Sequence, residues 1–259
     1  MTLPKQALLQ YMNGDFTAMR LDRFLSERNL GTRSQVKKLI AGGQVSVNGR
    51  IAERAEEQVD EAKDIICFRG KVLAHEAFVY YVLNKPAGVV SATNDNTART
   101  VVELLEPGDR RNGLFPVGRL DKDTEGFLLL TNDGALAHSL LSPKRHVDKT
   151  YQAFLERPLS REAAERLEAG VDIGEAKPTL PCRIGFLQEN LILLTLQEGK
   201  FHQVKRMLQA VDNRVLSLKR VSFGGLVLDE GLAPGKYRKL TEDEVKVLRD
   251  ACRKTRNVT

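Results

Sequence analysis

The segment at 118–134 constrains the fold more than any other part of this 259-residue chain. It begins with a loop in which Arg119 and Asp121 stand between Gly118 and Gly126. A run of phenylalanine and leucines follows and ends in an Asn-Asp-Gly turn, which predicts a buried strand. Glycine adopts positive φ readily and allows other groups to approach the backbone closely. The sequence therefore predicts a loop, placed just before a core strand, that can hold the Asp121 carboxylate against a bulky ligand.

The composition excludes several classes of protein and favours a polyanionic partner. Hydrophobic residues make up 42% of the chain, enough for a sizeable core, and the net charge of +6 favours a partner such as nucleic acid. The three cysteines and four histidines show no metal-ligand spacing, and there is no glycine-rich phosphate loop. We therefore expect no metal and no cofactor.

The sequence gives no membrane or targeting signal. No apolar run approaches the ~20 residues that cross a bilayer. Residues 1–18 read as an N-terminal extension, and polar residues interrupt them too often for a signal peptide. We expect a cytoplasmic protein, with no membrane partner, and a monomer because no heptad repeat is present.

Residues 20–59 predict two short helices followed by a β-hairpin. The apolar residues recur at helical spacing in two runs, which are Leu21, Phe24 and Leu25, and then Val36, Leu39 and Ile40. Ser34 is the predicted N-cap of the second helix, a glycine pair ends it, and Asn48-Gly49 turns the hairpin. The second helix carries Arg33, Lys37 and Lys38, which by charge alone are more often a solvated face than a nucleic-acid contact.

The rest of the chain predicts a mixed α+β domain that begins near Phe78. A β-rich run at 79–83 is followed by predicted strands at 126–131, 150–156, 182–187, 191–196 and 215–221. Helices are predicted at 134–141, 160–169, 202–210 and 241–253. Because the strands outnumber the helices and follow one another through loops or hairpins, the pattern favours α+β over a doubly wound parallel sheet.

Three further segments could carry chemistry, although each also has an ordinary structural explanation. Lys149-Thr150-Tyr151 opens a strand, where a tyrosine commonly packs in the core. The start of the 202–210 helix carries Lys205 and Arg206, which the helix dipole disfavours and which an external anion or a facing carboxylate would explain. Leu218 and Val221 lie in a later strand and suit core packing.

These segments, in this order, resemble a known family over about residues 19–250. Asp121 directly after Arg119-Leu120, the Lys-Thr-Tyr stretch and His202-Gln203-Val204-Lys205-Arg206 resemble the motifs of the pseudouridine synthases of the small-subunit ribosomal (RsuA-like) type. The pattern at 20–49 resembles the S4 RNA-binding domain. The resemblance implies an extension at 1–18, an S4 domain at 19–60, a linker at 61–77 and a catalytic domain at 78–256. It implies an α+β fold: a small N-terminal α/β domain and a larger domain with a long mixed, mainly antiparallel sheet and a central cleft.

The resemblance also implies roles for individual residues. Asp121 would be the essential aspartate, Tyr151 would stack on the target base, Lys205 would pair with Asp121, and Arg119 would hold the loop or the flipped nucleotide. Asp123 and Thr124 would brace the loop through side-chain hydrogen bonds to the backbone. Leu218 and Val221 would pack beneath the base. The expected RNA contacts are Arg20, Arg33, Ser34, Lys37, Lys38, Lys149, His202, Gln203 and Arg206.

The implied reaction is isomerisation of a uridine to pseudouridine in ribosomal RNA, with 16S RNA favoured and uridine 516 as the target. The substrate could be naked RNA or a small-subunit assembly intermediate. Two alternatives stay open: a 23S RNA enzyme of the same family, and a non-catalytic S4-domain assembly factor. A binding factor would tolerate Asp121→Asn, whereas an isomerase would not.

Overall fold

The computed structural model describes residues 18–28, 30–60, 63–73, 78–110 and 113–253. The chain divides into two compact units, residues 1–77 and residues 78–259. The extension expected at 1–18 lies outside the described residues except for its last residue. No helix in the described ranges is both long and apolar enough to cross a membrane.

The first unit packs two short helices against small sheets. Its elements are β1 (Ala18–Arg20), α1 (Leu21–Glu27), α2 (Arg33–Ala41), β2 (Val45–Val47), β3 (Arg50–Ile51), β4 (Gln58–Asp60), β5 (Ile66–Phe68) and β6 (Lys71–Val72). One sheet has the order β3-β2-β5-β6, and β1 pairs with β4. The predicted helices and the Asn48-Gly49 hairpin are confirmed. Within the segment expected as a linker at 61–77, β5 and β6 form a second hairpin in the first unit's sheet.

The N-cap of α2 is Thr32, so the prediction of Ser34 is wrong. The Thr32 side chain accepts a hydrogen bond from the Gln35 backbone, and the Gln35 side chain accepts one from the Thr32 backbone. This reciprocal capping box satisfies two backbone donors that the first helical turn leaves free. Ser34 lies inside that turn and is exposed.

The second unit is built on one long sheet. Its strands are β7 (Tyr80–Lys85), β8 (Phe115–Pro116), β9 (Glu125–Thr131), β10 (Lys149–Leu155), β11 (Arg183–Gln188), β12 (Leu191–Leu196), β13 (Val215–Phe223), β14 (Leu226–Val227) and β15 (Tyr237–Lys239). Its α-helices are α3 (Gly134–Leu141), α4 (Arg161–Ala169), α5 (Gln203–Gln209) and α6 (Glu242–Ala251). The predicted strands from 126 onward and the predicted helices match these bounds to within about two residues. The predicted end of the first strand at residue 83 is wrong, because β7 continues through Asn84 and Lys85.

The strand order is β11-β12-β10-β13-β9-β7-β15, with β14 added beside β13 and β8 beside β9. Only the β9–β13 pair in this sheet is parallel among the described strands. The α+β fold with a mixed, mainly antiparallel sheet is therefore confirmed.

Gly126 makes the parallel pairing of β9 and β13 possible. It faces Arg220 across the pair, with φ +101°. A Cβ at this position would lie 2.2 Å from the Arg220 carbonyl oxygen, closer than any real contact. The close approach predicted for this glycine is thus with β13, and it fixes the start of β9 only a few residues after Asp121.

Helices cover two separate apolar regions of the sheet. Residues of α4 and α5 pack with β10 and β12 in one core, which includes Leu167, Met207, Ala153 and Ile192. Residues of α3 and α6 pack with β7 and β9 in a second core, which includes Leu140, Leu248, Val82 and Phe127. Burial of each large apolar side chain contributes roughly 1.5–3 kcal/mol. These two cores hold β9, β10, β13 and α5 as a rigid frame.

Glu244 links α6, the last helix, to the edge strand β15. Arg238 in β15 donates two hydrogen bonds to its carboxylate, at 2.8 and 2.7 Å, and the Thr241 backbone donates a third. The hydrogen bonds from Arg238, more than any other cause, lower the pKa of Glu244 to about 2. The resulting stability is present above the ordinary pKa of 4.5 and is lost as the pH falls toward 2.

We expect Glu244→Gln to lower the free energy of unfolding by about 2 kcal/mol at pH 7, after allowance for partial exposure. The loss should shrink as the pH falls from about 4.5 toward 2, because the wild-type carboxyl is then protonated as well. Urea unfolding at a series of pH values measures this. Glu242→Gln, an exposed carboxyl in the same helical turn, is the control and should change stability by less than about 0.5 kcal/mol. Equal losses for both variants at pH 7 would contradict the assignment.

Candidate active site

Asp121 lies in the loop between β8 and β9, and neighbouring side chains fix this loop. The Ser91 hydroxyl donates to the carbonyl of Leu120 at 2.9 Å and accepts from its amide at 3.0 Å. Lys85 Nζ donates to the carbonyls of Asp121 and Thr124 at 3.1 and 2.8 Å. The backbone on both sides of the Asp121 side chain is therefore anchored to the sheet.

Lys85 is the functional residue that the sequence analysis missed. It is fully buried at the end of β7, and its Nζ also reaches the carbonyls of Pro86 and Lys122. Burial lowers the pKa of Lys85 to about 8, against the opposite effect of three nearby carboxylates. The only signal in the sequence was a lysine directly after a buried apolar run and before a proline, which by itself does not identify the loop it holds.

The Asp121 carboxylate has two neighbours on α5 and its N-cap. Lys205 Nζ is 3.2 Å from Oδ2, and His202 Nε2 is 3.6 Å from Oδ1. The expected proximity to Lys205 is therefore present in the geometry. Arg119 lines the same cavity, is exposed and makes no hydrogen bond or ion pair in the described part of the chain, so the cation beside the Asp121 carboxylate is Lys205.

Lys205 is shared between two carboxylates. Its Nζ donates to the Asp123 oxygens at 2.7 and 2.9 Å in addition to its contact with Asp121. Burial alone would lower the pKa of Lys205, but hydrogen bonds to Asp123 and Asp121 raise it above its ordinary value. The Asp123 carboxyl has a lowered pKa, chiefly because of its hydrogen bond with Lys205. Lys205 is consequently a fixed positive charge beside Asp121 across the neutral pH range.

The roles expected for Asp123 and Thr124 as braces of the loop are wrong. The Asp123 side chain is exposed and binds Lys205 instead of the loop backbone. The Thr124 hydroxyl is buried without a hydrogen-bond partner in the described structure. The side chains of Lys85 and Ser91 brace the loop in their place by donating to its carbonyls, and the Gly88 amide donates to the Lys122 carbonyl as well.

Asp121 opens into a cavity of about 90 Å³. Its walls come from β10, β12, β13, the loop at 198–202 and α5, and the side chains that matter for the argument are Tyr151, Leu218, Lys205 and His202. Tyr151 is half-buried, and Leu218 is buried against the α4–α5 core. Asp121 and Lys205 are each 28% exposed, so the carboxylate is accessible yet mostly enclosed. Val221, which was expected to pack beneath the base, follows Leu218 by three residues on β13. It is half-buried and does not line the cavity.

Gln203 stabilises the cavity wall and is turned away from solvent. It is 5% exposed, donates to Glu198 Oε1 at 2.7 Å and accepts from the Lys200 backbone at 2.8 Å. These bonds close the loop at 198–203 on itself. The expectation that Gln203 contacts RNA is corrected, since both ends of its amide are already used.

Arg206 and Lys149 are also engaged within the protein. Arg206 donates to Glu175 at 2.8 Å and to the carbonyls of Phe201 and Ile173. Lys149 is buried, donates to the Val147 carbonyl at 2.9 Å, and has its pKa lowered by burial to about 8. Their expected RNA contacts are corrected on this geometry, whereas His202 stays at the cavity mouth and is exposed.

The first unit carries an exposed basic face on α2. Arg33, Lys37 and Lys38 are exposed, whereas Val36 and Ile40 face the core. Lys37 lies 3.4 Å from Glu56, and Arg20 binds Asp22 and Glu56. Since Lys37 and Glu56 are each more than half exposed, their pairing is weak and a phosphate can replace it.

The described residues contain no cluster of three or more groups that could hold a metal ion. The arrangement instead joins one carboxylate, one fixed cation, one aromatic ring and one aliphatic side chain around a small cavity. An ionised carboxylate beside such a ring can act as a nucleophile or base on a planar, extruded substrate.

Comparison with known proteins finds relatives that match about nine tenths of the chain. The family model for RNA pseudouridylate synthase matches residues 79–210, and the S4 domain model matches residues 19–66. The uncharacterized RNA pseudouridine synthase YtzG of Bacillus subtilis is 47% identical over 236 residues, 90% of this chain and 99% of the relative. Ribosomal small subunit pseudouridine synthase A of Escherichia coli is 39% identical over 230 residues, 88% of this chain and 98% of the relative. A crystal structure of a pseudouridylate synthase matches with TM-score 0.64 and 38% identity, covering 89% of this chain and all of that one.

Proposed function

The chain belongs to the RNA pseudouridylate synthase family, and we propose that it isomerises one uridine of ribosomal RNA at the Asp121 cavity. The observation that carries this proposal is the meeting of Asp121, Lys205 and Tyr151. They come from three distant segments of the chain and line one cavity.

Pseudouridine is an isomer of uridine, so the reaction needs no external reagent. The bond from ribose C1′ to uracil N1 breaks, the uracil turns, and C5 bonds to C1′. The proton on C5 is then removed, and N1 gains one. Asp121 acts at the ribose, either by attack on C1′ or by removal of a ribose proton, and both roles require its ionised form.

The neighbouring side chains fit the remaining tasks. The target base has to leave its RNA stack, and Tyr151 offers the aromatic surface that an extruded base needs. Leu218 supports the base from the core side of the cavity. Lys205, held 3.2 Å from Asp121, keeps the carboxylate oriented. Enclosure of the cavity favours rejoining of the freed uracil over its loss to water.

We propose 16S ribosomal RNA as the substrate and uridine 516 as the modified position. The support is the name of the Escherichia coli relative, which is a ribosomal small subunit enzyme, and the His-Gln-Val-Lys-Arg form of the α5 motif. In this proposal the protein acts as a monomer in the cytoplasm. Its substrate is either naked RNA or RNA within an assembly intermediate.

Incubation of the purified protein with 16S and 23S transcripts, followed by mapping of pseudouridine, tests the target. The proposal expects one pseudouridine, in 16S RNA at position 516. Modification of 23S RNA alone would keep the chemistry and replace the target. No pseudouridine in either transcript, or in purified small-subunit precursor particles, would contradict the proposed reaction.

The basic face of α2 should supply salt-sensitive affinity for RNA. We expect the double variant Arg33→Ala, Lys37→Ala to bind RNA more weakly and to lower the slope of log affinity against log salt by about 1 to 2. Filter binding across a salt series measures both quantities. The matched control is Arg161→Ala with Lys246→Ala, two exposed helical cations of the second unit. Identical slopes for the wild type and the α2 variant would show that this face does not touch phosphates.

A further inference from the structure

We propose that Phe201 and His202 form a stacking platform for a second RNA base, one that flanks the target nucleotide. This subsite lies outside the cavity that holds the target uracil, and it rests on the proposed function. The ligand is an unpaired base of any identity, because stacking uses the π-face that every base has.

Phe201 is an aromatic residue that is largely exposed to solvent. It is 68% exposed, more than any other aromatic residue in the described part of the chain. Its ring is stacked on the His202 imidazole, with centroids 3.8 Å apart and an angle of 20° between the planes. One face of the phenyl ring is therefore covered by the imidazole, and most of the residue stays open.

The platform is fixed to the active site by backbone contacts. His202 has φ +50°, a left-handed conformation that is rare for residues other than glycine and is kept only where neighbours enforce it. Arg206 supplies this constraint: its side chain donates to the Phe201 carbonyl at 3.0 Å, and its amide donates to the His202 carbonyl at 3.0 Å. These bonds fix the backbone that carries both rings, and the stack on the His202 imidazole is the contact that positions the phenyl ring.

The position of the Phe201–His202 pair beside the cavity indicates that the base it binds flanks the target nucleotide. His202 lines the cavity and lies 3.6 Å from Asp121, and the Phe201 ring is stacked on its imidazole without lining the cavity itself. Lys200 directly precedes the pair and lines the cavity, and its Nζ donates to the carbonyls of Lys177 and Pro178, which holds this loop beside the cavity. An exposed aromatic ring beside a cavity that takes an extruded nucleotide is a surface on which a neighbouring unpaired base can stack.

The test compares Phe201→Ala, Phe201→Tyr and Phe186→Ala with the wild type in pseudouridine formation on the 16S transcript. Phe186 is the matched control, an exposed phenylalanine on the edge strand β11 and away from the cavity. We expect Phe201→Ala to raise KM by about 5- to 100-fold, the range that stacking of one base provides, with a smaller effect on kcat. Phe201→Tyr keeps a ring and should stay within about threefold of the wild-type KM, and Phe186→Ala likewise.

A second measurement reports the stack directly. With 2-aminopurine in place of each base next to the modified uridine, binding of wild-type protein should quench the fluorescence at one position, and Phe201→Ala should abolish that quenching. An unchanged KM for Phe201→Ala with an active wild type would overturn the platform and leave the proposed function intact. A fall in kcat without a rise in KM would also overturn it, since Phe201 would then act only through His202. If the wild type forms no pseudouridine in any ribosomal RNA, the proposed function and this inference both fall.

Discussion

Replacement of Asp121 by Asn is expected to abolish pseudouridine formation, with a loss of at least about 10³-fold in kcat and little change in RNA affinity. The amide keeps the size of the side chain but cannot attack C1′ or take a proton. Lys205 keeps its second partner, Asp123, at 2.7 Å, so the helix and loop should hold their positions. Single-turnover assays with saturating enzyme measure the chemical step, and filter binding measures the affinity.

Asp123→Asn is the matched control for this prediction. It removes a carboxylate from the same loop and from the same lysine, yet its side chain is exposed and lies outside the residues that line the cavity. We expect its kcat to stay within about tenfold of the wild type, because Lys205 still pairs with Asp121. If Asp123→Asn were inactive and Asp121→Asn active, the two aspartates would have to exchange roles.

The second large effect is expected for Lys85→Met. This change removes the donor to three carbonyls of the Asp121 loop and to the Pro86 carbonyl while keeping the volume of the side chain. Loss of these bonds should move the loop, and a displacement of about 1 Å costs on the order of 10²-fold in rate. Buried carbonyls without donors should also lower the free energy of unfolding by about 2–3 kcal/mol. Single-turnover rates and urea unfolding measure the two effects.

Lys122→Met is the control for Lys85. Lys122 is exposed on the same loop and its side chain makes no hydrogen bond or ion pair within the described residues, so both activity and stability should stay close to the wild type. A Lys85→Met protein with wild-type kcat would mean that Ser91 alone is enough to position the loop. The RNA affinity of Lys85→Met should be nearly unchanged, which separates misplacement of Asp121 from loss of binding.

Local patterns predicted most of the frame of this molecule. The helices and the longer strands of the second unit follow from apolar runs, helical spacing and turn residues, and they lie close to the predicted bounds, whereas the short strands β8, β14 and β15 were not predicted. The resemblance placed Asp121, Tyr151, Lys205 and Leu218 at one site, and the geometry brings these four side chains to one cavity. The sequence indicated that Gly126 allows another group to approach the backbone closely. In the structure that group is the backbone of β13.

The remaining features depend on contacts between distant segments, which a single sequence does not display. Lys85 binds carbonyls 36–39 residues away, and no local pattern encodes that pairing. The sequence also does not say which way a charged side chain points. Arg206 and Lys149 turn inward to carbonyl or carboxylate groups of the protein, whereas Arg33, with the same formal charge, is exposed. Arg119 is close to Asp121 in the sequence, but in the fold the cation beside the Asp121 carboxylate is Lys205.

The central claim is that Asp121 isomerises a uridine of small-subunit ribosomal RNA, and one measurement tests it most directly. Pseudouridines are mapped by carbodiimide labelling and primer extension on ribosomal RNA from cells that lack this protein. The map is repeated after complementation with the wild type or with Asp121→Asn. We predict that one pseudouridine of the small-subunit RNA is missing without the protein, returns with the wild type, and stays absent with Asp121→Asn. An unchanged map in cells without the protein, or full restoration by Asp121→Asn, would contradict the claim.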